Sequence, residues 1–139
     1  MRDARMIHYR RECELSPEEF VDLLVRSTLA KRRPVNDPAR IAQMVEFGNL
    51  TVTARDDAGL LVGVARCVTD FSFCCYVSDL AVDAAFQRQG IGRRLLEHVK
   101  SSLHEKAFMF LQAAPDAAEY LPARRVYQSG PHVAALNAG

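Results

Sequence analysis

The sequence predicts a single mixed α/β domain, and three observations carry that reading. Two capped, proline-opened helices stand near the start, and an antiparallel hairpin follows them. A strand apolar on both faces then runs through a glycine-containing loop into a helix apolar on one face. The 139 residues suffice for one core, a length at which roughly 68% of the unfolded surface is buried. Hydrophobic residues make up 49% and charged residues 25%, which is ordinary for a globular chain and unlike compositional disorder. Residues 1–139 are read as one domain.

Met6 to Arg10 reads as a short strand. Ser16-Pro17-Glu18-Glu19 supplies an N-cap, a proline at the first helical position and a glutamate three residues after the cap, so a helix starts there. Phe20, Leu23, Leu24 and Ser27 keep one face until Pro34 disfavours helix before it, which ends the helix near Ala30. Asn36-Asp37-Pro38 repeats the cap and proline, Ile41, Met44 and Val45 form the buried stripe, and Gly48 ends the second helix. Leu50 to Arg55, the turn Asp56-Asp57-Ala58-Gly59 and Leu60 to Val68 make the hairpin. Cys74 to Val82 is apolar on both faces, as a covered central strand should be. Ile91, Leu95, Leu96, Val99 and Leu103 line one side of a third helix, with Arg93, Arg94, Glu97 and Lys100 off it. Ala107 to Gln112 is a short apolar strand, and Pro115 opens a fourth helix through Glu119.

A net charge of +1 creates no field that would collect nucleic acid or an anionic membrane, so neither is an expected partner. Cys13, Cys67, Cys74 and Cys75 show no CxxC spacing and no histidine cluster, so no metal site is expected and the cysteines read as small apolar fillers. The opening MRDARMIHYRRE lacks the apolar core of a signal peptide, and no apolar run nears the ~20 residues that span a bilayer. A cytoplasmic location is the expectation.

Gln87-Arg88-Gln89-Gly90-Ile91-Gly92 lies between strand and helix, where the first helical N–H groups lack partners and the helix dipole is positive. Gly90 and Gly92 allow the backbone to approach a pyrophosphate, with Arg88 and Arg93 adding positive charge. A dinucleotide fingerprint would need a third small residue where Leu95 stands, and a Walker loop would need Gly-Lys-Ser/Thr. Neither nucleotide motif fits. Taken alone, the same residues also suit a glycine turn that merely starts a helix.

The pattern Gln87-x-x-Gly90-x-Gly92 after a strand resembles the GNAT superfamily of acetyltransferases, whose signature is Gln/Arg-x-x-Gly-x-Gly/Ala. Asp79-Leu80-Ala81-Val82-Asp83 is similar to that family's fourth strand, and Phe86 occupies its aromatic position before the loop. The order of elements is similar over nearly the whole chain. The resemblance implies an α/β GNAT (acyl-CoA N-acyltransferase) fold: a mixed, largely antiparallel sheet with a splayed central strand, flanked by helices. It implies acetyl-CoA as co-substrate and no metal. The amides of Gln87, Arg88, Gln89, Gly90, Ile91, Gly92 and Arg93 would bind the pyrophosphate, and the backbone of Leu80, Ala81 and Val82 would pair with the pantetheine arm as an added strand. The acceptor would be a primary amine of a small molecule or peptide, acetylated directly in a ternary complex. A backbone N–H near Val82 would polarise the thioester carbonyl, and Asp79 and Tyr76 are the candidate bases. The departing thiolate, with a pKa of roughly 8.5, needs only modest acid assistance.

The family's catalytic tyrosine lies in a Phe/Tyr-Tyr-x-x-x-Gly-Phe segment, against which this chain sets Tyr120-Leu121-Pro122-Ala123-Arg124-Arg125-Val126. Leu121 takes the tyrosine slot, and Arg125-Val126 replaces Gly-Phe. Tyr120 becomes the candidate acid, with Tyr127 the second choice, although a helical neighbour points about 100° away. Residues 127–135 carry Gly130-Pro131 and lack alternation, so they do not read as two closing strands. Codons for Arg125-Val126-Tyr127 can be read one nucleotide later as Gly-Phe-Thr. Residues 121–139 are accordingly read as an atypical, frameshifted end, which leaves the sheet either short or completed by a homodimer partner; codons unable to encode Gly-Phe would dismiss the frameshift.

Two other functions compete. A non-catalytic acyl-CoA-binding module would bind coenzyme A without releasing thiol on any amine, and a swapped structural subunit would order its tail only across a dimer. Lys31-Arg32-Arg33 is read as a solvated helix end before an anchor for an acidic substrate group or the 3′-phosphate of coenzyme A. His8, His98, His104 and His132 read as surface or capping residues.

Overall fold

Ser16 Oγ accepts the Glu19 N–H at 3.1 Å and starts helix α1, Pro17–Arg26; Asp37 Oδ1 accepts the Arg40 N–H at 3.3 Å and starts helix α2, Pro38–Phe47. Both begin where their caps and prolines require. The computed structural model describes residues 6–112, 126–128 and 133–137. Helix α1 stops earlier than its stripe suggests. Ser27 is its C-cap, Thr28 takes φ 73°, and a 3-10 turn over Leu29–Arg32 carries the chain to Arg33.

Among the described residues seven strands form one sheet: β1 (His8–Arg11), β2 (Leu50–Arg55), β3 (Leu61–Thr69), β4 (Cys74–Val82), β5 (Phe108–Gln112), β6 (Val126–Gln128) and β7 (Val133–Asn137), in the order β1-β2-β3-β4-β5-β7-β6. All neighbours are antiparallel except β4 and β5. Their parallel pairing needs a crossover, and helix α3, Ile91–Ser101, supplies it. Helix α3 covers one face of the sheet over Val52, Val62, Val77 and Met109, while α1 and α2 cover the other through Phe20, Leu23, Leu24 and Ile41. Fully burying Phe20, Leu23 and Leu24 stabilises by roughly 1.5–3 kcal/mol each, so α1 is held by its apolar face.

The reading of residues 127–135 as lacking closing strands is corrected: β7 pairs with β5 from Phe108↔Asn137 to Gln112↔Val133, and β6 flanks it. Backbone pairing on both edges holds a run that its side-chain pattern does not mark as a strand, and Gly130-Pro131 falls between the two strands rather than in either. The fourth helix expected over Pro115–Glu119 lies outside the described residues.

Arg55 ties the sheet to α1, its Nε and Nη2 donating to Glu12 and its Nη1 to Glu19. The Arg55 guanidinium, assisted by the Thr53 hydroxyl and opposed by burial, holds the Glu12 carboxyl down at about 2 from an ordinary 4.5. A depressed folded-state pKa contributes stability above the unfolded value that is lost as pH falls through the folded one. Between pH 4.5 and 2, the melting temperature of the wild type should therefore fall more steeply than that of Glu12→Gln. Parallel slopes in a thermal-melt series would remove Glu12 from the acid response.

Candidate active site

Strand β4 loses one of its two partners midway. Arg66 stands opposite Asp79 and Cys67 opposite Val77, which leaves Ser78 as an extra, bulged residue. The bulge reverses which face each side chain meets. Before it, Cys75 and Val77 pack into the core under α3; after it, Ala81 joins the core under α1 and α2, and Leu80 and Val82 turn toward α3. Pairing with β5 runs from Cys74↔Phe108 to Val77↔Leu111 and stops at the bulge, so among the described residues Ser78 to Val82 keep β3 alone as neighbour. The splay expected of the central strand is present.

The Asp83 N–H donates to Val62 O at 2.8 Å. In an antiparallel ladder hydrogen-bonded pairs alternate with non-bonded ones, so Ala81 exchanges bonds with Val64 while Leu80 and Val82 direct their N–H and C=O groups away from β3. Of the three residues expected to offer backbone to a ligand, Leu80 and Val82 face the opening. Ala81 faces β3.

Gln87 closes the end of this strand, its Nε2 donating to Val82 O at 3.1 Å. Asp83 accepts the Ala85 N–H at 2.8 Å and the Arg26 Nη1 at 2.5 Å, which fastens the loop to α1. Arg88 and Gly90 both adopt positive φ, 66° and 81°, a backbone that glycine takes freely. Helix α3 differs from α1 and α2 in having no side-chain cap. Among the described residues the N–H groups of Gly90, Ile91, Gly92 and Arg93 meet no acceptor, and Arg94 is the first to find one, Gly90 O at 3.0 Å. A Cβ on Gly92 would meet Val82 in ordinary contact at 3.9 Å, so the protein's own packing does not demand glycine there. Four unpaired amides, a positive helix end and exposed Arg88, Gln89 and Arg93 form a cradle suited to a pyrophosphate.

Asp79 is 0% exposed, with one oxygen taken by Arg33 Nε and the other by Arg66 Nε. Arg33 also donates to Ser78 O at 2.9 Å, and Arg66 to Ser78 Oγ and Met44 O, each at 2.9 Å. Arg33 thus belongs to a buried ion network and is not part of a solvated helix end. Tyr76 lies before the bulge, opposite Phe110, on the face away from α3. Tyr120 lies outside the described residues. Sequence reasoning missed the bulge and both arginine partners; the one available signal was a charged pair, Arg66 and Asp79, inside two otherwise uncharged strands.

A mixed sheet opened at its middle beside an uncapped helix start is the acyl-CoA N-acyltransferase fold. The chain matches the model of the acetyltransferase (GNAT) family over residues 17–130, and it belongs to that family. Its fold is similar to a GNAT family N-acetyltransferase of Escherichia coli in complex with coenzyme A, at 20% identity over 100% of this chain and 85% of that one, TM-score 0.72. It is similar to a GNAT family acetyltransferase of Streptococcus pneumoniae at 23% identity over 83% of each chain, TM-score 0.67. It is also similar to diaminobutyrate acetyltransferase of Paenibacillus lautus, in complex with L-2,4-diaminobutyric acid and coenzyme A, at 15% identity over 97% of this chain and 96% of that one, TM-score 0.66. No curated protein sequence matches the chain.

Proposed function

We propose that this protein moves an acetyl group from acetyl-CoA to a primary amine of a small molecule or peptide, directly within a ternary complex. The observation that carries the reading is the set of unpaired amides from Gly90 to Arg93 beside the open edge of β4. The coenzyme A complexes of the Escherichia coli and Paenibacillus lautus structures support the co-substrate, and the diaminobutyrate bound in the latter supports a small amine as acceptor.

In this reading the loop amides hold the pyrophosphate, and Leu80 and Val82 hold the pantetheine arm by main-chain bonds. The Val82 N–H points toward the thioester oxygen and stabilises charge developing there. The amine nitrogen bonds to the carbonyl carbon and the C–S bond breaks. The electron pair leaves on sulfur, and the ammonium proton passes to water. Asp79 serves as an anchor rather than a base, because a carboxylate that is 0% exposed and held by a guanidinium on each oxygen is out of reach of the amine. Tyr120 remains the acid assigned to the thiolate. Cys67 and Cys75 are both 0% exposed in the core under α3, out of reach of a thioester, which suits direct transfer over an acetyl-cysteine intermediate.

Calorimetric titration with acetyl-CoA, run beside a thiol-release assay over a panel of amines, tests the proposal. Binding with turnover on at least one amine is expected, and the absence of binding would overturn it. Binding without thiol release on any amine would instead favour the non-catalytic module. Removing the loop clamp with Gln87→Ala should raise the KM for acetyl-CoA about fivefold, the equivalent of one net hydrogen bond of about 1 kcal/mol, with kcat little changed. An unmoved KM would free Gln87 of that role.

A further inference from the structure

The described arginine clusters differ in charge. Arg55 binds the two carboxylates Glu12 and Glu19, with exposed Arg10 touching Glu12 at the rim, so that cluster is balanced. Arg26 binds the two carboxylates Asp22 and Asp83, which leaves an excess of negative charge. At the β4 bulge the ratio inverts: Arg33 and Arg66 share the single carboxylate of Asp79. Among the described residues one positive charge there has no carboxylate.

Arg66 is not the residue that offers it. The difference is exposure: the Arg66 side chain is 8% exposed, and its nitrogens bond Asp79, Met44 O and Ser78 Oγ, the same number of bonds that Arg33 makes. Arg33 is 21% exposed, and its bonds to Asp79, Ser78 O and Arg32 O use three of its donors. A guanidinium carries five N–H groups, so two remain, on the more exposed of the two arginines. Asp79 and Ser78 O fix the plane of the group in advance, which lowers the entropy lost when an anion binds it.

Its position gives that anion a role. Arg33 is held at Ser78, four residues before Val82; at about 3.3 Å per strand residue the two are within the length of a small molecule. Asp79 lies on the α1 and α2 side of the sheet, opposite α3, whose start forms the pyrophosphate cradle. A molecule that reaches the open strand from the side away from the cradle comes to the face that carries Asp79 and its partner Arg33. Tyr76 and Phe110, paired across β4 and β5 just before the opening and 43% and 38% exposed, add an apolar floor on that face.

We infer that Arg33 recognises an anion on the acceptor, and that the acceptor is an amine that also carries a carboxylate. The inference rests on the acetyl-transfer reading above. The test supplies acceptors in pairs, L-amino acids and dipeptides against their carboxamides, at saturating acetyl-CoA, to the wild type, Arg33→Gln and Arg33→Lys. Acetyl-CoA binding is measured separately by calorimetry. The wild type should prefer the acids by tenfold or more in kcat/KM. Arg33→Gln should bring that ratio to near one while its acetyl-CoA Kd stays within twofold, and Arg33→Lys should keep part of it. A merely structural role would lower acids and amides together and overturn the inference, as would equal use of both forms by the wild type, or turnover of neither while acetyl-CoA binds. Failure of acetyl-CoA to bind is a different result, which removes the transfer reading itself.

Discussion

Gly90→Val is expected to raise the Kd and KM for acetyl-CoA tenfold or more and to lower the melting temperature by several degrees. Gly90 is the N-cap of α3 with φ 81°, and a left-handed conformation costs an L-residue roughly 1–2 kcal/mol, most heavily a β-branched one. The chain has open space around the position, with Arg93 Nη2 at 3.9 Å as the nearest atom. The effect must therefore come through backbone conformation and the ligand side, not through internal crowding. Relief of the strain would swing the amides of Gly90, Ile91 and Gly92 out of convergence. Gly90→Asn separates the causes, because asparagine visits the left-handed region readily and should keep the melting temperature close to that of wild type. Calorimetry with acetyl-CoA on both variants, beside thermal melts, makes the comparison. Unchanged affinity in the valine variant would refute the loop assignment.

The second large effect belongs to Asp79. Removing one partner of a buried ion pair leaves uncompensated charge and costs about 3–5 kcal/mol, and Asp79→Ala strands two guanidiniums rather than one. Against a total stability of roughly 5–15 kcal/mol, a drop in melting temperature of about 10–20 °C is expected. Asp79→Asn, which keeps the shape and one acceptor oxygen, should lose less. Below their melting temperatures, both variants should retain the wild-type shape of the pH–rate profile. A well-folded Asp79→Asn protein that lost turnover and one limb of that profile would return Asp79 to the role of base.

What was legible in the sequence was what short segments decide by themselves. Ser16 with Glu19 and Asp37 with Arg40 are contacts three residues apart, so both helix starts could be located from spacing. The apolar stripe of Ile91, Leu95, Leu96 and Val99 named the face of α3 that is buried. Gln87, Gly90 and Gly92 are likewise local, and the loop stands between strand and helix as their spacing required. The early end of α1 was illegible because Thr28 takes φ 73°, against the preference of a β-branched residue. Strand β7 was illegible for another reason: Val133-Ala134-Ala135-Leu136 has no alternation, and its pairing with β5 and β6 is made with residues distant in the chain or across a turn.

The sequence by itself therefore determined the class of this protein and the place of its cofactor loop, since caps, stripes and a glycine-spaced loop act over a few residues of chain. The tertiary structure alone decided what β4 does. The extra residue at Ser78, the reversal of faces and the open edge at Leu80 and Val82 depend on register against β3 and β5. Asp79 meets Arg33 from 46 residues away and Arg66 from 13. A residue pattern cannot specify such partners, because whether a strand carboxylate faces solvent, substrate or two guanidiniums is settled by which strands pair and where the pairing slips by one residue.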